Sequence, residues 1–285
     1  MAAVDNFTYG LVNPLLGYAM SCVGAFLGLR CVILSRAYEG FAKARWLILA
    51  AVSIGAVGIW AMHFIAMLGF TVTGEQILYN VPVTVGSMLL AVAVVSVGLF
   101  IVGYGEAESP LGPWPRLLTG GTVIGVGVAA MHYMGMRAMS MPGSMSYSTL
   151  LVVLSVVIAV VAGTAALWIG TWVRSLWATF AASLVMGIAV TGMHYTGMAA
   201  LRVHAGPMPS MGVAGVSSMT TVSGATAAAF LIPLLLVVGL ATFLLTLAIS
   251  VSPSEDEIRA DAELKRRLDY LQRRDALQPV VAAEH

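Results

Sequence analysis

The sequence predicts an all-α integral membrane protein with seven transmembrane helices, arranged as three tandem two-helix repeats plus a final helix. Three observations predict it. Hydrophobic residues fill 59% of the 285 positions and charged residues only 9%, with a mean hydropathy of +0.93; a soluble domain carries about a quarter charged residues. All 13 acidic and all 14 basic residues stand in connections, tails or span ends. A Met-His motif recurs three times at near-equal spacing.

A helix crosses the hydrocarbon with about 20 apolar residues, and seven stretches meet that requirement. They run over residues 11–29, 46–68, 81–102, 117–136, 148–172, 176–201 and 225–250. The first is not a cleaved signal peptide, because residues 1–10 contain Asp5 and no Lys or Arg where a basic stretch would stand. It holds Cys22, with Cys31 at its end. Nine residues on one helix place them about 13 Å apart, too far for a disulfide.

The connections set the orientation. Arg30, Arg36, Lys43 and Arg45 lie between spans one and two, Arg116 before span four, and Arg174 between spans five and six. Arg259, Lys265, Arg266, Arg267, Arg273 and Arg274 follow span seven, so this side holds twelve of the basic residues. The other side holds Arg137 and Arg202. The positive-inside rule then places the amino terminus outside and the carboxyl tail in the cytoplasm.

Spans two, four and six carry the motif: Met62-His63-Phe64-Ile65-Ala66-Met67, Met131-His132-Tyr133-Met134-Gly135-Met136 and Met193-His194-Tyr195-Thr196-Gly197-Met198. The histidines are separated by 69 and 62 residues, the length of a helical hairpin with its loops, so the repeat unit is two spans. All three copies run from inside to outside, each with its histidine past the middle of its span, so hairpins laid side by side bring them to one depth. Residues four apart share a helix face. His63 therefore projects with Met67, His132 with Met136 and His194 with Met198, the sulfur one turn nearer the outer surface. The small residue three places after each histidine (Ala66, Gly135 and Gly197) lets helices approach closely. Met62, Met131 and Met193 point about 100° away from their neighbouring histidines.

If the three faces converge, three imidazoles form one layer and three thioethers a second above it. Imidazole suits copper, zinc, iron and nickel, and thioether selects Cu(I); zinc prefers Cys, His or carboxylate, and no carboxylate stands near this layer. Copper is the metal these ligand types favour, and haem held by a histidine pair is the alternative. Interhelical hydrogen bonding by the histidines and packing by the methionines are the plainer reading of the same residues, although ionisable groups within a membrane mark functional sites by default. Tyr133 and Tyr195 are either interfacial belt residues or hydrogen-bonding supports that orient an imidazole. Met139, Met141 and Met145 after span four, and Met208, Met211 and Met219 after span six, could capture copper. His204 and His285 fall outside the pattern.

With these residues in view the chain resembles the MHYT-domain family of bacterial membrane proteins, named for a Met-His-Tyr-Thr string. Met193-His194-Tyr195-Thr196 reproduces that string, and the other two copies are looser versions. The resemblance covers spans one to six and extends to the seventh. It implies a sensor in the bacterial cytoplasmic membrane that binds copper and through it oxygen, carbon monoxide or nitric oxide. The implied metal ligands are Met62, His63, Met67, Met131, His132, Met136, Met193, His194 and Met198. Phe64 and Ala66 depart from the family pattern and remove a tyrosine role from the first copy.

The chain then divides into a membrane domain over residues 1–252 and a charged cytoplasmic tail over residues 253–285. Many members of that family carry an output module at this point, and no nucleotide-binding or catalytic motif fits in this tail. Ser254 with Glu257 is a capping box, Glu263/Arg267 and Asp269/Arg273 are i,i+4 pairs, and Pro279 ends the run. Leu264, Leu268 and Leu271 could form a stripe for a cytoplasmic signalling partner, or the helix is simply solvated. With no carboxylate or activated nucleophile in the spans, no enzymatic role is expected, and nucleic acid is not an expected partner. The readings in view are a sensor of a diatomic gas or of redox state, a copper uptake or delivery protein, and a haem-binding or structural membrane component.

Overall fold

A computed structural model describes residues 4–73, 76–104, 112–141, 144–204, 224–252 and nine positions of the tail between 257 and 271. Among the described residues seven helices are long and apolar enough to cross a membrane: α1 (Val12–Ser35), α2 (Gly40–Met67), α3 (Val81–Gly103), α4 (Trp114–Ala138), α5 (Thr149–Trp172), α6 (Leu176–Ala199) and α7 (Ala227–Val251). Polar side chains start several of them. The Asn80 side chain accepts from the Val83 amide at 3.1 Å, and Ser175 and Thr226 accept from Ala178 and Ala229 at 3.2 Å. Each satisfies an amide that the first turn leaves open.

Helices α1 to α6 form a closed ring in which each packs on the next and α6 returns to α1; α7 lies outside, against α1 and α2. The motif-bearing helices α2, α4 and α6 also touch one another across the centre. Small residues allow the close approaches. A β-carbon at Gly24 of α1 would overlap the backbone of Gly58 on α2, and the Ser53 hydroxyl donates to the Gly24 carbonyl at 2.9 Å. Such contacts drive association where lipid offers no hydrophobic gradient.

Two features were not foreseen. The middle of α2, Ser53–Ala61, is π-helical, a wider winding that occurs at functional positions; here it ends two residues before His63. Second, short ladders cap one end of the bundle. Strand β1 (Val4–Asp5) pairs with β2 (Thr71–Val72); β3 (Leu78–Tyr79) lies between β4 (Met139–Ser140) and β7 (Ala225–Thr226); β5 (Ser144–Tyr147) pairs with β6 (Leu201–His204). The all-α expectation therefore holds for the bundle and misses this lid. The segments are too short to announce themselves by alternation, and they pair only because the helices bring the loops to one end.

Met139 and Met141 are buried at this lid (3% and 8% exposed), so neither is a surface trap for copper. In the tail the Glu263–Arg267 pair forms at 2.6 Å, with Leu264, Leu268 and Leu271 exposed. The capping box at Ser254, the pair Asp269/Arg273, Pro279, Met208, Met211 and Met219 lie outside the described residues.

Candidate metal centre

The three motif helices all end at the strand-capped side, so His63, His132 and His194 reach the centre of the bundle at one level. Each is 1% exposed. Their ring centroids are 4.9, 4.9 and 5.1 Å apart, with planes crossing at 80 to 86°. The Nδ1 atom of His63 lies 3.0 Å from Nδ1 of His194 and 3.2 Å from Nδ1 of His132. One nitrogen from each histidine falls within 4.8 Å of the others, which makes the trio a candidate metal-holding group.

The outward nitrogens are equally informative. Nε2 of His63 and Nε2 of His132 are buried without a hydrogen-bond partner. A β-carbon at Gly135 would overlap Nε2 of His63, and one at Gly197 would overlap Nε2 of His132. Each ring is thus seated against the small residue of the next copy. Without a cation, three facing Nδ1 atoms can share hydrogens only in part; the orphaned Nε2 atoms carry a desolvation cost of about 1–3 kcal/mol each with or without one. A cation accepting three lone pairs suits this geometry. Three nitrogens around a metal at about 2.0 Å would stand about 3.5 Å apart, a few tenths beyond the observed spacings.

The methionines divide as the helical geometry requires. Met67, Met136 and Met198 are buried (1%, 0% and 4% exposed) one turn nearer the strand lid. Met62 turns toward α1, where its Cγ would lie 3.4 Å from a β-carbon at Gly17. Met131 is buried in the core, and Met193 lines a cavity below the histidines.

The tyrosines do not support the imidazoles by hydrogen bonds. The Tyr133 hydroxyl pairs with Ser155 at 2.7 Å, and the Tyr195 hydroxyl is buried with no partner while its ring stacks on Phe7 at 5.5 Å. Each ring instead meets the edge of the adjacent histidine at 4.9 Å, as Phe64 meets His63 at 4.7 Å. The physical reason is that neighbours in a helix diverge by about 100°, which keeps the phenol oxygen away from the ring nitrogens. Because Phe64 makes the same contact, its replacement of Tyr costs the first copy nothing at the triad.

Sequence reasoning overlooked other supports. The Asn13 amide donates to the Ile65 carbonyl at 2.7 Å, and the Trp60 indole donates to the Ser87 hydroxyl at 3.0 Å. Both brace α2 on either side of His63, and the buried polar residues Asn13 and Ser87 inside apolar spans were the available signal. Burial also pushes the Tyr79 phenol at the lid above its ordinary range.

Comparison with known proteins shows which family the chain belongs to. Residues 57–120 and 125–183 match the MHYT model, described as a bacterial signalling protein N-terminal repeat; the Met193–Met198 copy lies beyond the second match. The bifunctional diguanylate cyclase/cyclic di-GMP phosphodiesterase MucR of Pseudomonas aeruginosa is 37% identical over 226 residues, 78% of this chain and 30% of that protein. The cyclic di-GMP phosphodiesterase NbdA of the same organism is 35% identical, covering 70% of this chain and 25% of its own length. The signalling protein YkoW of Bacillus subtilis is 30% identical over 70% of this chain and 25% of its own. The chain thus matches about a quarter to a third of the length of these relatives. No solved structure matches it. The repeated motif, its convergence on one buried trio and these similarities together place the chain in the MHYT family of bacterial signalling proteins.

Proposed function

We propose that this protein is a sensor in the bacterial cytoplasmic membrane whose three histidines hold a metal ion, copper by preference, and which detects a diatomic gas (oxygen, carbon monoxide or nitric oxide) or redox state. The observation that carries this reading is the meeting of three buried Nδ1 atoms, two pairs at 3.0 and 3.2 Å. Three neutral nitrogens with no carboxylate, under buried thioethers, match the softness of Cu(I). A bound copper ion would supply redox chemistry and an open position for a small ligand. His63, His132 and His194 would hold it, with Met67, Met136 and Met198 on the lid side.

The nitrogen spacing disfavours haem. A porphyrin between two axial imidazoles needs about 4 Å, twice a metal–nitrogen bond of about 2.0 Å. The orientation follows from charge: the strand lid and the triad face outward, and Arg36, Lys43 and Arg45 face the cytoplasm. A ligand at the triad would change how α2, α4 and α6 pack, and the shift would reach the cytoplasmic tail or a partner. By this reading the cyclic di-GMP activities named for the relatives belong to parts of those proteins that do not match this chain.

Metal analysis of protein purified from copper-supplemented cells tests the site. About one copper per chain is expected, lost in His132→Ala and His194→Ala. A haem absorption band would instead support the haem reading. A rise in cellular copper on expression would favour uptake or delivery.

A further inference from the structure

Below the triad the helix ring is not filled. A cavity of about 260 Å³ runs down the centre, lined by residues of α1 to α6. Its upper end is formed by Ile59, Val128 and Val190, four residues before His63, His132 and His194, about one helical turn beneath the rings. Met193, the chain neighbour of His194, lines it as well. Along α2 the lining extends from Lys43 to Ile59, roughly 20 Å of helix, so the space is long and narrow.

What the lumen can hold follows from its wall. Between the polar residues of the lower end and the histidines, the described lining is Leu, Ile, Val, Ala, Gly and Met. The polar groups of the lower end are engaged with protein. The Ser35 hydroxyl donates to the Val32 carbonyl at 2.7 Å and the Thr171 hydroxyl to the Trp168 carbonyl at 2.6 Å. Arg36 donates to the carbonyls of Gly170 and Val173, which ties α1 to the end of α5. Ordered water needs two to four polar partners, which the apolar stretch does not offer. An ion would give up its hydration there with nothing to replace it. An apolar cavity of about 150 Å³ stays dry and binds benzene or xenon, so this one has room for more than one guest of that size. Above the triad the protein is packed instead: Met67, Met136, Met198, Phe70, Val72 and Tyr79 are at most 4% exposed.

We propose that this lumen takes up small uncharged apolar molecules of the diatomic-gas class and presents them to the underside of the triad through the layer of Ile59, Val128 and Val190. Moving such a solute from water into apolar space is favourable, and a cavity this large costs stability when it stays empty. Leu47, Ile59, Val95 and Leu167 are at most 4% exposed, so the side wall is packed side chains, which hinder a lipid tail far more than a molecule of two atoms. Uptake uses no ligand of the triad and needs no metal. Delivery rests on the metal reading given above.

Dissolved dioxygen is paramagnetic, so its contact with single methyl groups can be read by carbon NMR on the metal-free full chain in nanodiscs under oxygen pressure. The methyls of Ile59, Val95, Val128 and Val190 should relax severalfold faster than those of Val72 and Val203, which are equally buried at the lid. A162F, in the lumen wall, should remove most of that enhancement and leave the lipid-facing Leu236 unchanged. No contrast between lumen and lid methyls, indifference to A162F, or magnetisation transfer to the lumen methyls from water or from lipid chains would each overturn uptake. If A162F does not fold, the contrast between lumen and lid in the native protein decides it. For delivery, carbon monoxide should combine with the copper-loaded protein severalfold more slowly in A162F at equal copper content, and an unchanged rate would overturn that half. A chain that takes up no copper would sink the metal reading and delivery with it, while oxygen contact at the lumen methyls would still stand.

Discussion

The Nε2 atom of His63 stands where a β-carbon on Gly135 would have to be, and Nε2 of His132 stands in the same relation to Gly197. Gly135 and Gly197 are therefore more than helix-packing devices: each is the seat of an imidazole from another copy. The first copy has Ala66 at that position.

It follows that Gly135→Ala and Gly197→Ala must push a buried ring out of place. Overpacking of this kind costs about 1–3 kcal/mol, and a displaced ring loses its place at the shared centre. Helical content by circular dichroism should stay near native while copper per chain falls severalfold. Ala66→Gly should keep its copper. Full copper retention in both alanine variants would show that the rings do not need their seats.

Each single histidine removal should be more severe. His63→Ala, His132→Ala and His194→Ala leave two nitrogens, and copper affinity should drop by about 100-fold or more, beyond the 10–100-fold effect of disturbing a supporting contact. Titration against a Cu(I) chelator measures it. Three unequal losses, with one histidine dispensable, would argue for a two-coordinate site.

Replacing Met67, Met136 and Met198 together by Leu conserves volume, so stability should change by less than about 1.5 kcal/mol. If the sulfurs favour the reduced ion, the triple variant should retain copper and show a lowered Cu(II)/Cu(I) potential by voltammetry. An unchanged potential would reduce the methionines to packing.

The two tyrosines should respond differently to loss of their hydroxyls. Tyr133→Phe removes the 2.7 Å contact with Ser155 and should cost about 1 kcal/mol in unfolding experiments. Tyr195→Phe removes a buried hydroxyl without a partner and should be neutral or stabilising. Copper content should be unchanged in both, because neither phenol touches an imidazole nitrogen.

Tyr79 sets a pH dependence at the lid. Its folded pKa is raised by burial above the unfolded value of about 10. The stability it contributes is complete below that unfolded value and is lost as pH climbs toward the folded one. Thermal melts should therefore fall above about pH 10, and Tyr79→Phe should flatten that limb.

The helices were legible because lipid makes backbone satisfaction and apolarity local requirements. Every expected span overlaps an observed helix, α1 continuing six residues further, through Ser35. The histidines were legible because ionisable side chains stand out against such a background. Local rules could not say which ring nitrogen faces inward, that Gly135 and Gly197 hold rings from other copies, or that the tyrosine hydroxyls turn to Ser155 or to no partner. Those depend on how helices far apart in sequence cross. The π-helical stretch of α2, the strand lid and the lumen were likewise decided only when the ring of six helices closed. Composition and periodicity thus determined that there would be seven rods with three marked faces. Tertiary packing determined that the faces meet, because only the closed ring gives three imidazoles one buried centre.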